Sequence, residues 1–174
     1  MTVYVALLRA IGPGSHAIMR PTALRDKAAE AGFDDPVNHL ATGNLIFGSS
    51  KSAAAVKTEI TALVESFGLR SSEVFIATRS QIRQIVEADP FPRAVADHPS
   101  RLGVCFFHKA LDWPQNLLGR AGPEAIVAIG PALVIDYGPG ETPPRLDVER
   151  LAGAKMTQRV WNTVLGIWRR MQDR

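Results

Sequence analysis

Val3-Tyr4-Val5-Ala6-Leu7-Leu8, followed by Arg9 and the small-residue stretch Ala10-Ile11-Gly12-Pro13-Gly14-Ser15, decides how this chain folds. Successive side chains of a strand point to opposite faces, so a run that is apolar at odd and even positions alike must be covered on both. Only a central strand inside a layered body meets that demand. Working outward, residues 21–31 read as a helix, with Pro21 at a first helical position and Gly32 where a left-handed residue closes it. Short strands over 37–41 and 45–47 flank the turn Thr42-Gly43-Asn44. Residues 53–67 carry Val56, Ile60, Leu63, Val64 and Phe67 at helical spacing and stop at Gly68. A strand over 74–77 completes the order strand, helix, hairpin, helix, strand, which is that of a ferredoxin-like unit.

The pattern then begins again. Residues 80–88 read as a linking helix with Ile82, Ile85 and Val86 inward, and 89–101, with Pro90, Pro92 and Pro99, as a linker. A second run apolar on both faces follows over 102–107. A short helix capped by Asp112 is expected over 112–120, a hairpin of 126–129 and 133–137 about Gly130-Pro131, and a loop over 138–144. The chain closes with a helix over 157–172. The expected fold is therefore α+β, with two ferredoxin-like (βαββα-type) halves in one compact body. The first half covers 1–79, the linking helix and Pro-rich linker 80–101, and the second α/β half with the C-terminal helix 102–174.

Composition narrows the function classes. The chain of 174 residues is 46% hydrophobic and 21% charged, the balance of a globular protein. No window holds the roughly 18 apolar residues of a membrane helix, and no basic segment precedes an apolar one as in a signal peptide. A cytoplasmic protein without membrane partners is expected. Cys105, the one cysteine, lies within Val104-Cys105-Phe106-Phe107 and reads as a buried, inert thiol in a reducing compartment. Net charge is +3, concentrated at the end: residues 145–174 hold seven basic and three acidic side chains. An anionic partner would favour that end, although a solvated helix face explains the same charges.

Several residues could carry chemistry. The loop Gly12-Pro13-Gly14-Ser15 runs from a strand towards a helix, flanked by Arg9, His16 and Arg20, an arrangement that suits an anion. It lacks the Lys-Ser/Thr of a P-loop and the third glycine of a dinucleotide fingerprint, and it reads equally as a plain connection. Thr42, Gly43 and Asn44 place two polar side chains at a hairpin tip or simply make the turn. In the last helix Val160, Trp161, Val164, Leu165, Ile167, Trp168 and Met171 form an apolar stripe, with the tryptophans as core anchors. Arg159 and Asn162, one turn apart on the polar face, could hold an anion together, whereas Arg169 and Arg170 read as solvated. His16, His39, His98 and His108 lack metal spacing, Asp34-Asp35 before Pro36 reads as turn chemistry, and no nucleophile elbow or paired catalytic carboxylates are found.

Four motifs in order resemble the bacterial domain-of-unknown-function 1697 family. Its opening Tyr-Val-Ala-Leu-Leu-Arg-Gly-Ile-Asn-Val-Gly-Gly is similar to Tyr4 through Ser15, its Ser-Gly-Asn to Thr42-Gly43-Asn44, and its Asn-Pro-Phe to Asp89-Pro90-Phe91. Its Thr-x-Arg-Asn-Trp-Asn-Thr is similar to Thr157-Gln158-Arg159-Val160-Trp161-Asn162-Thr163. The resemblance implies an α+β, ferredoxin-like fold and carries no known activity or catalytic residue. The family's asparagines and a glycine are replaced here by Gly12, Val160 and Ser15, which alters any ligand site they serve. The expectation is a binding protein for an anionic small ligand, a nucleotide or phosphate compound, held by Arg9, Gly12, Gly14, Ser15, Thr42, Gly43, Asn44, Arg159 and Asn162. No metal or cofactor is expected, and the modest net charge makes nucleic acid the weaker partner. The alternatives are an enzyme without a recognisable motif and an interaction module with no ligand.

Overall fold

The computed structural model describes residues 1–11, 13–69, 72–113, 125–140 and 146–174. The chain divides into two compact units, Met1–Ser80 with Ile167–Arg174, and Gln81–Gly166. Among the described residues no helix is long and apolar enough to cross a membrane.

In the first unit, β1 (Thr2–Leu8), β2 (Asp34–Asn38), β3 (Asn44–Ser49) and β4 (Val74–Thr78) form one antiparallel sheet in the order β2-β3-β1-β4. With α2 (Pro21–Glu30) after β1 and α3 (Ala53–Ser66) after β3, this is the ferredoxin-like arrangement. Strand β1 is central, with Val5 opposite Ile46 of β3 and Ala77 of β4. Tyr4, Ala6 and Leu8 point to the face covered by Leu24 and Ala28 of α2 and by Val56, Ile60 and Val64 of α3. Val3, Val5 and Leu7, on the opposite face, are buried as well. Apolar residues on both faces of the strand therefore reflect burial on both. Helix α3 starts where Ser52 Oγ accepts the Ala55 N–H, and Gly32 and Gly68 take positive φ just past α2 and α3.

The second unit repeats the topology. Strands β5 (Leu102–Phe107), β6 (Ala125–Ile129), β7 (Ala132–Asp136) and β8 (Met156–Val160) form an antiparallel sheet in the order β6-β7-β5-β8. Helix α6 (Val148–Ala152), capped by Asp147, helps cover the face carrying Cys105, Phe107, Leu133 and Ile135. The α+β class and the doubling into two halves, each built on a four-stranded antiparallel sheet, are thus present in the structure.

Four sequence expectations change. The loop after β1 contains a helical turn, α1 (Pro13–His16). Asp34-Asp35-Pro36 begins strand β2 instead of making a turn; β2 lies at the sheet edge, where a proline's missing N–H breaks no ladder. Its pairing with β3 is irregular between Asp34 and Val37, and Asp35 sits at φ +42°. The supposed linker after α4 (Arg79–Ala88) contains α5 (Pro92–Asp97) and a 3-10 turn (Pro99–Arg101), each opened by a proline at a position that needs no N–H. Most consequentially, the expected helix over 157–172 is two elements. Residues Met156–Val160 are drawn into the ladder with β5, and helix α7 runs only over Trp161–Gln172. The helix expected over 112–120 lies almost wholly outside the described residues.

Candidate functional site

The ladder of the first sheet continues past the end of β1 and gathers three loops there. The Leu8 N–H donates to the Gly43 carbonyl (2.8 Å), and the Arg9 N–H donates to the Glu73 carbonyl (2.8 Å). Arg9 thus sits between the hairpin turn on one side and the residue before β4 on the other. Its Nη1 meets Glu73 Oε2 at 3.1 Å, with the two side chains 36% and 30% exposed. A pair this accessible to solvent stabilises by about 0–1 kcal/mol. It orients the guanidinium at the surface without hiding it.

Across from Arg9, the turn is organised by its own residues. Asn44 is 1% exposed, and its Nδ2 donates to the His39 carbonyl (2.9 Å) and to Thr42 Oγ1 (3.1 Å), while the His39 N–H donates to the Asn44 carbonyl (2.9 Å). A buried amide with both donors used closes the turn. Gly43 is held at φ +73°, and a Cβ there would lie 2.9 Å from Leu8 Cβ and 3.0 Å from Ile11 Cγ1. Gly43 and Asn44 are therefore explained by the fold. Thr42 stands exposed. In the adjoining loop Ser15 Oγ donates to the Ala10 carbonyl (3.3 Å), and the Ser15 carbonyl receives the Ile18 and Met19 N–H groups. Gly14 has open space around it, and Gly12 lies outside the described residues. Two residues that are not glycine, Ala10 (φ +58°) and Leu40 (φ +60°), adopt left-handed backbone in these two loops.

Arg159 and Asn162 belong to the second unit. Arg159 is on β8 opposite Val104, and its Nη1 donates to Thr157 Oγ1 (2.8 Å) and the Gln158 carbonyl (2.9 Å). Burial lowers its pKa to about 10, which leaves it charged at neutral pH. Asn162 is exposed in the first turn of α7. They are not a pair one turn apart on a helix face: the strand ends between them, at Val160. The β5 ladder, a partner distant in sequence, overrode the local helical spacing.

The strand, loop and turn that meet at Arg9 all fall within residues 1–121, the stretch matched by the model of "Protein of unknown function (DUF1697)". The chain belongs to the DUF1697 family. No curated protein matches it. A solved structure, that of conserved bacterial protein SP0830 from Streptococcus pneumoniae, is similar to it with a TM-score of 0.70 over 99% of both chains, at 18% identity. At that identity the likeness concerns the fold.

The DUF1697 opening motif, strand then arginine then small-residue loop, thus corresponds to the end of a central strand where neighbouring loops converge. Sequence reasoning missed Glu73, the carboxylate beside Arg9, since no motif links positions so far apart. It also misses His39, whose pKa is lowered by burial and, second, by the charge of Arg170, itself exposed as expected.

Proposed function

We propose that the protein binds an anionic small ligand, of the nucleotide or phosphate-compound class, at the end of β1 in the first unit. Arg9 supplies the cation, Thr42 an exposed hydroxyl, and the segment holding Gly14 and Ser15 a wall. The observation that carries this reading is the combination at one place of a surface guanidinium and two loops with strained, non-glycine backbone. Such strain costs on the order of 1–3 kcal/mol per residue and concentrates where a loop must hold a functional shape. A phosphate would compete with Glu73 for the guanidinium, and its two donor edges suit a tetrahedral oxyanion.

Thermal-shift measurements with inorganic phosphate, nucleotides and sugar phosphates test the reading. A ligand at about a hundred times its Kd adds roughly 2.7 kcal/mol to folded-state stability, a rise of several degrees, and Arg9→Ala abolishes it. No shift with any anion overturns the proposal. The Arg9–Glu73 pair favours a second reading, in which Arg9 only anchors β1 beside β4. Arg9→Ala and Glu73→Ala would then lower the melting temperature alike, and no anion would restore it.

A further inference from the structure

Independently of the site at Arg9, the second unit brings together a histidine and an aspartate far apart in sequence. His98 closes α5 and precedes the 3-10 turn Pro99–Arg101, which runs directly into β5 at Leu102. Leu102 is the register partner of Asp136, the last residue of β7. Strand pairing thereby sets His98 Nε2 2.9 Å from Asp136 Oδ1, with both side chains 20% exposed. The same oxygen accepts the Gly138 N–H at 2.8 Å. The loop supplying that N–H is itself clamped. Arg101 Nε donates to the Gly138 carbonyl (2.9 Å), Arg101 Nη2 to the Tyr137 carbonyl (3.2 Å), and the Tyr137 N–H to the Arg101 carbonyl (3.1 Å).

A carboxylate only accepts, so the neutral imidazole carries its proton on Nε2 and keeps a lone pair on Nδ1. Among the described residues His98 makes its side-chain hydrogen bond through Nε2. A carboxylate fixed by a backbone N–H, orienting an imidazole whose second nitrogen keeps its lone pair, is the arrangement that holds a catalytic base or nucleophile in one tautomer. The segment that follows Asp136 holds Gly138 at φ +69° and Gly140 at φ +129°, with no atom within 4 Å of where a Gly140 Cβ would lie.

We propose that His98 and Asp136 form a dyad that presents Nδ1 of His98 as a nucleophile towards the carbonyl carbon of an activated ester. The Nδ1 lone pair forms a bond to the carbonyl carbon, the carbon–oxygen bond to the leaving group breaks, and that group departs with the electron pair. Asp136 balances the positive charge of the acylated ring through Nε2–H. Water then adds to the acyl carbon, the bond from that carbon to Nδ1 breaks with its electron pair returning to Nδ1, and one proton of the water passes to solvent, leaving the carboxylic acid and the neutral imidazole. His98 is the reacting group; Asp136 is a positioning residue.

The full chain and 4-nitrophenyl acetate test this. Release of 4-nitrophenolate is expected at roughly tenfold or more the rate of N-acetylhistidine at equal concentration, a modest share of what a positioned group supplies. His98→Gln, whose amide can still donate to Asp136, is expected to remove that excess while the circular dichroism spectrum stays the same. Asp136→Asn is expected to lower the rate at least several-fold. A rate no greater than that of N-acetylhistidine, or one unchanged by His98→Gln, overturns the proposal. If Asp136→Asn does not fold, the unaltered chain still decides. Carbethoxylation of His98 by diethyl pyrocarbonate, mapped by mass spectrometry, must outpace that of N-acetylhistidine; a slower reaction refutes an available Nδ1.

Discussion

Gly43→Ala tests the tightest joint at the proposed site. The substitution has two separable consequences. Left-handed backbone at φ +73° costs an L-residue with a Cβ roughly 1–2 kcal/mol, partly offset by about 0.5–1 kcal/mol from the stiffer unfolded chain. The new methyl would also stand 2.9 Å from Leu8 Cβ and 3.0 Å from Ile11 Cγ1. Leu8 Cβ is bonded directly to the backbone of the central strand and has no rotamer by which to withdraw. Overpacking of this kind adds about 1–3 kcal/mol, which with the net backbone cost of about 0.5–1 kcal/mol brings the expected loss to about 1.5–4 kcal/mol. Gly32→Ala is the internal control. Gly32 has φ +85° in the same unit, with no atom within 4 Å of its would-be Cβ, so only the backbone term applies, about 0.5–1 kcal/mol. Urea titrations of both variants, followed by circular dichroism, measure the gap. Equal losses would refute the close approach of the turn to β1.

Ala10→Gly is expected to stabilise the protein by up to about 1 kcal/mol, because glycine adopts the left-handed backbone of residue 10 without strain; a lowered melting temperature would contradict it. Burial pushes the Cys105 thiol up to about 12, so a disulfide reagent at pH 8 should leave it unmodified in the native protein and label it fully in urea. Labelling of the native protein at the rate of a free thiol would show that the thiol is not buried. His39 has its folded-state pKa lowered below 6.5, by burial first and Arg170 second. The unfolded chain therefore takes up a proton first as pH falls through about 6.5, and stability declines on acidification over that range. His39→Gln should flatten the dependence of melting temperature on pH between 7.5 and 5.5, and an unchanged slope would count against the assignment.

How much was legible follows the range of each interaction. The glycine ends of α2 and α3 and the unbroken apolar run of β1 depend on residues within one or two turns of each other, and their signals stand in the local sequence. Thr42-Gly43-Asn44 announces its turn for the same reason, and the family resemblance rests on such local stretches. The strand at Met156–Val160 was not legible. Its residues begin a pattern continuous with α7, and only the partner β5, some fifty positions earlier, distinguishes ladder from helix.

The same distinction governs the sites. By itself the sequence determined the α+β class, the doubling into two halves, the buried thiol of Cys105 and the arginine at the end of the first strand. Tertiary structure alone decided that Glu73 meets Arg9, that Arg159 lies on a strand, and that His98 faces Asp136. Periodicity and turn chemistry act between near neighbours and leave a pattern in the chain. Strand pairing brings together residues dozens of positions apart, and nothing in either segment announces its partner.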